Sequence, residues 1–299
     1  MAPDLRDTTV TFPAGEVAGT ATVVAILSDP DVEGLPVGTS AIVVDRTPFH
    51  PVDHTWPDQP ADRGTVAEID LADCVVGAVS STGTFYAGEA IPARRGDEDW
   101  RWLVLHVVPS EAVTGIAVGE RVDLAVAADL RGRYSRGHSA CHLAALAMNH
   151  AAAGYWDKDP GRHDSLGNPD LDSLAIVRSR IEPDGAIDDY RLGRSIRRKG
   201  LRSNDLLADL PALAATVTAT VQSWAADGGP AAILTDGDER LTARRRWTAE
   251  LPVGQVAIPC GGTHVRDIGE LSTTTVTYEP IEGGFRAHTQ VPPPAAAGE

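Results

Sequence analysis

His138-Ser139-Ala140-Cys141-His142 and, late in the chain, Cys260-Gly261-Gly262-Thr263-His264 are the stretches on which the reading of this sequence turns. Two histidines four apart on a helix lie on one face, a turn apart, so both imidazoles can address one ion. Cys260 and His264 repeat that spacing across two glycines, which let the backbone turn tightly. Together the pairs offer three nitrogens and one sulfur, the donor set of a tetrahedral zinc site. The long interval from 142 to 260 excludes a zinc finger and predicts a metal site built into a larger domain.

Working outward, the 299 residues are enough for a sizeable core and predict two domains. No apolar run approaches the roughly 18 residues that a membrane span needs. The start, Met1-Ala2-Pro3-Asp4-Leu5-Arg6-Asp7, is polar and unlike a secretory signal. Cys74, Cys141 and Cys260 are too few and too scattered for a disulfide framework, which suits a reducing cytoplasm. Cys74 and Cys141 read as core, the latter pointing about 100° away from His142 on a helix.

The net charge of −16 argues against general nucleic-acid binding and against DNA in particular. Basic residues nevertheless cluster at Arg191, Arg194, Arg197, Arg198, Lys199 and Arg202, and again at Arg244-Arg245-Arg246. Such runs serve either as solvated, ion-paired surface or as a phosphate contact.

Residues 8–130 read as short β-branched strands between Gly and Pro turns, which predicts a small antiparallel β-barrel over residues 1–130. His106 fits a satisfied core or rim histidine. From about Tyr134 the period becomes helical, with Ser135 as N-cap and Gly154 as stop. This opens a second, α+β domain over 131–290. Within it, residues 156–172 are loop-like, and Leu174 to Val177 and Ile187 to Leu192 read as strands. Ser203 to Ala226 reads as helix, with Pro211 at an early turn or a break. The tail, 291–299, is expected to be disordered.

His138-x3-His142-Leu143 and Cys260-Gly-Gly-Thr-His264-Val265 resemble the editing domain of alanyl-tRNA synthetases and its free-standing AlaX relatives. Thr47-Pro48-Phe49-His50-Pro51, Gln59-Pro60-Ala61-Asp62-Arg63-Gly64 and Val118-Gly119-Glu120 fit the same pattern. His50 stands where the family usually has tyrosine, and Val52 to Asp58, with His54 and Trp56, replaces its glycine-rich turn. The chain leaves no room for an aminoacylation domain, which favours the free-standing form.

The resemblance implies a cytoplasmic, ATP-independent hydrolase that uses zinc held by His138, His142, Cys260 and His264. Its substrate would be wrongly charged tRNA, serine on alanine tRNA above all. It further implies that Thr47 reads the substrate's hydroxyl and Gln59 lines the pocket. If the partner is a charged tRNA, Arg194, Arg197, Arg198 and Lys199 would meet its phosphates. No nucleophile or general base stands out, so no catalytic side chain is named. Four protein ligands form a closed shell, whereas a catalytic zinc keeps one position open; an organising or a catalytic ion both fit. Two other functions fit as well: a zinc hydrolase of another small aminoacyl ester or amide, or a non-catalytic zinc-stabilised module that binds tRNA or a partner. The lack of an apolar span predicts no membrane partner, and nothing in the sequence bears on oligomeric state.

Overall fold

The β-branched runs of the first 126 residues form strands. They are β1 (Thr9–Val10), β2 (Ala18–Ser28), β3 (Val32–Glu33), β4 (Thr39–Val44), β5 (Arg46–Thr47), β6 (Gly64–Val66), β7 (Ile69–Asp70), β8 (Asp73–Val79), β9 (Phe85–Ala87), β10 (Arg101–Pro109) and β11 (Arg121–Val126). The computed structural model describes residues 5–292. Nine of these strands make one sheet in the order β3-β9-β8-β10-β4-β2-β11-β6-β7, and β1 pairs with β5. The expected closed barrel does not form. The sheet ends in the two-residue strands β3 and β7, and no pairing among the described residues joins them. Closure requires tilted strands staggered around a complete ring, which such short edges cannot supply.

The centre of the sheet is covered on both faces. On β10, Trp102, Val104 and Val108 pack in one apolar cluster with Ile42 and Val44. Leu103, Leu105 and Val107 pack in another with Ala41 and Val43. That double burial is why β10 reads as a continuous apolar run rather than an alternating one.

Helix α1 (Ala128–Ala151) follows directly. It begins before Tyr134, and Ser135, expected as its cap, is a buried residue inside it. Arg131 and Gly132 hide the early turn from a periodicity reading, although Arg131 is itself buried. Beyond α1 come α2 (Leu171–Ala175), β12 (Ile176–Glu182), β13 (Gly185–Arg191), α3 (Arg194–Arg198), α4 (Ser203–Ala208), α5 (Leu210–Ala225), β14 (Ala231–Thr235), β15 (Arg245–Leu251), β16 (Gly254–Pro259), β17 (Thr275–Ile281) and β18 (Gly284–Gln290). Leu174 and Ala175 close α2 instead of starting a strand, because Asp170 caps that helix by accepting from Ser173 N–H. Pro211 stands in the first turn of α5, where its missing N–H costs nothing.

β12, β13, β18 and β17 form a four-stranded sheet, and β14, β15 and β16 a three-stranded one. α5 is tied to β17 through Thr218, whose Oγ1 donates to Val276 O at 3.2 Å and accepts from Val276 N–H at 2.9 Å. The chain divides into two units. One runs up to Arg131 and adds Leu234–Arg245 and Gly261–Thr263; the other takes Gly132–Ile233, Arg246–Cys260 and the chain from His264 onward. Of the expected tail, Val291 is buried and donates its N–H to Asp184 O at 2.8 Å. Residues 293–299 lie outside the described residues. No described helix is long and apolar enough to cross a membrane.

Candidate metal centre

The helical spacing on α1 brings His138 and His142 together with ring centroids 4.9 Å apart. Gly137 makes that position of the helix accessible. A Cβ there would come within 2.3 Å of Gly185 O and 2.5 Å of Glu182 O, so only glycine lets α1 press against the β12–β13 turn one residue before His138. The other pair arrives on the β15–β16 hairpin. Trp247 faces Ile258 and Arg246 faces Pro259, so β16 delivers Cys260 at its end. Cys260 Sγ lies 3.4 Å from His138 Nε2 and 3.2 Å from His264 Nε2. One ligand atom from each of His138, His142, Cys260 and His264 lies within 4.8 Å of the others, and the four could hold a metal ion.

Two observations test whether a metal fits. Zinc bonds of about 2.0–2.3 Å at tetrahedral angles put ligand atoms roughly 3.3–3.8 Å apart, close to the sulfur–nitrogen separations here. His142 Nε2 is buried and has no hydrogen-bond partner among the described residues. Burial lowers the pKa of His142 to about 4, so the ring is neutral and one of its two nitrogens carries a lone pair that a metal can take. A buried polar atom left without a partner is costly in a folded chain, and coordination through Nε2 satisfies it. The donor set therefore fits a tetrahedral ion.

Trp247, absent from the sequence reading, forms a wall of this site. It is fully buried, with its ring 5.4 Å from His142 and 5.6 Å from His264. It follows Arg244-Arg245-Arg246, a local context dominated by charge that carries no signal for a buried aromatic. His163 stays out of the cluster, half exposed with its Nε2 3.4 Å from Asp159.

Thr47 is fully buried. His106 Nδ1 lies 2.9 Å from Ile42 O, a pure acceptor, so Nδ1 carries the ring proton and donates. His106 Nε2 must then accept, and it takes the Thr47 hydroxyl hydrogen at 2.9 Å. Burial holds His106 neutral, with its pKa lowered to about 4. Phe49 N–H donates to the same hydroxyl at 3.2 Å. Toward any further group Thr47 can therefore only accept.

Gln59 is 2% exposed. Its Nε2 donates to Thr263 Oγ1 at 2.9 Å and its Oε1 accepts from Thr263 N–H at 3.0 Å. Asp62, from the same motif, accepts from buried Arg131 in a two-pronged pair through Nε and Nη2, the Nε contact being 2.6 Å. Arg131 also donates to Pro48 O at 2.8 Å, and Asp62 accepts from His50 N–H at 2.5 Å. One arginine thus gathers both ends of the 48–62 loop. Inside that loop Asp53 accepts from Thr55 N–H at 2.9 Å and pairs with Arg95. Trp56 is 53% exposed.

Arg194, Arg197, Arg198 and Lys199 are exposed on α3 and just after it, and Lys199 Nζ donates to Pro160 O at 3.2 Å. Arg202 is bound to Asp157 at 2.8 Å and Asp205 at 2.9 Å. Arg245 is no surface cation. It is buried, donates to the carbonyls of Arg240, Leu241 and Ala243, and has its pKa lowered by burial to about 10.

No family model matches the chain. It is similar to an alanyl-tRNA editing protein, AlaX-M, of Pyrococcus horikoshii, with 25% identity over 238 residues and 79% of each chain covered. This agrees with the resemblance carried by the two ligand motifs.

Proposed function

We propose that this protein is a zinc-dependent hydrolase that removes wrongly attached amino acids from tRNA, with serine on alanine tRNA as its main substrate. The gathering of His138, His142, Cys260 and His264 around one point carries this reading, and the likeness to an editing protein supports it. By this reading the four residues hold zinc, within an editing-like α+β domain over 131–290. A zinc ion bound there supplies electrophilic help to an ester carbonyl.

The chain's own groups bind and orient. Thr47 offers an acceptor, which suits a seryl hydroxyl that donates and leaves alanine without that bond. Gln59, the other expected pocket residue, holds the backbone at Thr263 beside the ligand His264. Arg194, Arg197, Arg198 and Lys199 meet phosphates of the charged tRNA. No side chain is assigned as base, and ester hydrolysis needs no ATP. A cytoplasmic protein working beside translation fits this activity.

The glycine-free loop braced by Asp53 and Arg95 favours a second reading. In it, the same centre hydrolyses another small aminoacyl ester or amide. Deacylation assays with Ser-, Gly- and Ala-charged alanine tRNA, beside the matching free aminoacyl esters, test the two. Preference for the seryl tRNA supports editing; turnover of free esters alone supports the second reading.

A further inference from the structure

Between the two helical ligands lies Ser139, fully buried. Its Oγ is 3.1 Å from His264 Nδ1 and 3.0 Å from Val265 N. The Val265 N–H can only donate, so it occupies one lone pair of the hydroxyl. Two arrangements remain on the histidine side. If Ser139 donates, Nδ1 is bare and Nε2 carries the ring proton. If Nδ1–H donates, Nε2 keeps a free lone pair, as a metal ligand must. Nε2 is the nitrogen turned toward the cluster, 3.2 Å from Cys260 Sγ.

We infer that Ser139 is a positioning residue that holds His264 in its Nδ1–H tautomer and fixes its ring plane, presenting Nε2 to the metal. The inference rests on the metal-site reading and extends it to a residue outside the ligand set. The same hydroxyl ties the backbone after His264 to α1, the helix that carries His138 and His142. One oxygen therefore refers three of the four ligands to a single element. Partners of this kind, which accept the second N–H of a ligating imidazole, set both its tautomer and its orientation.

The test uses the full-length protein, stripped of metal and titrated with zinc against a chromophoric chelator, as wild type, S139A and S139T. Nitrogen-15 shifts of His264 are read in each zinc-loaded form. The expected results are a 10–100-fold weaker zinc affinity in S139A and recovery of most of it in S139T, which keeps the hydroxyl. Wild-type His264 should show a protonated Nδ1, and S139A a mixture of tautomers. Equal zinc affinity with an unchanged nitrogen pattern in S139A would overturn the inference. If S139A does not fold, the wild-type spectrum decides, and a protonated Nε2 in the zinc form overturns it. A wild type that takes up no zinc removes this inference together with the metal site. A wild type that binds zinc but leaves charged tRNA intact removes the editing reading and leaves the role of Ser139 standing.

Discussion

Gln59 and Thr263 hold each other through two reciprocal hydrogen bonds across 204 positions of sequence, the amide nitrogen donating to the threonine hydroxyl and the amide oxygen accepting the backbone N–H. Both residues are almost fully buried. Removing the amide therefore strands a buried N–H, at a cost of about 1–3 kcal/mol. Q59A should lower the unfolding free energy by that amount in urea titrations, whereas T263V, which keeps the N–H bond, should cost less. Equal stability of Q59A and wild type would show that water replaces the amide.

The Arg131–Asp62 pair makes a larger demand. Both side chains are 5% exposed or less, and Asp62 also serves His50 N–H. Breaking one partner of a buried pair costs about 3–5 kcal/mol because the other is left charged and unsolvated. R131M should show a loss of that size in chemical denaturation, and the double variant R131M/D62L should recover part of it.

The grouping of His138, His142, Cys260 and His264, which could hold a metal ion, was legible in the sequence, because a four-residue helical repeat and a Cys–His pair at equal spacing are local patterns. Contacts made between distant parts of the sequence were not. Trp247 reaches the site through strand pairing with β16, and Gln59 finds Thr263 from the far end of the chain. Arg131 carries a charge that a periodicity reading cannot place inside, yet its ion pair lets it stand buried in the first turns of α1. The strands of the first 126 residues were visible as β-branched runs. Whether they close into a barrel depends on edge pairing, which strand periodicity does not encode.

Asp188 sets a pH dependence of stability. Burial raises its pKa from 3.8 to about 6, and Cys141 Sγ donates to it at 3.3 Å. A carboxyl whose folded pKa is raised contributes its stability at low pH and loses it as pH rises, here from about 4 through about 6. Asp188 by itself contributes a loss of roughly 3 kcal/mol at most across that window, so the difference between wild type and an Asp188 variant isolates it from the other buried groups. D188N should flatten the profile there, as read by thermal melts at stepped pH. An unchanged profile would show that Asp188 is ionised in the fold at little cost.

The exposed cations around α3 provide a test on RNA. With Arg197, Arg198 and Lys199 changed to Glu, the apparent KM for charged tRNA should rise and its salt dependence should flatten, since each lost phosphate contact removes about one released counterion. Zinc content and hydrolysis of a small aminoacyl ester should not move. A triple variant that deacylates tRNA like wild type at every salt concentration would leave this segment as solvated surface.

The most direct measurement of the central claim is the rate at which purified protein deacylates serine-charged alanine tRNA, as isolated, after chelation and after zinc is returned. The account predicts about one zinc per chain, hydrolysis well above the buffer rate, its loss on chelation and its return with zinc. Fully zinc-loaded protein that leaves the seryl-tRNA to decay at the buffer rate would contradict it.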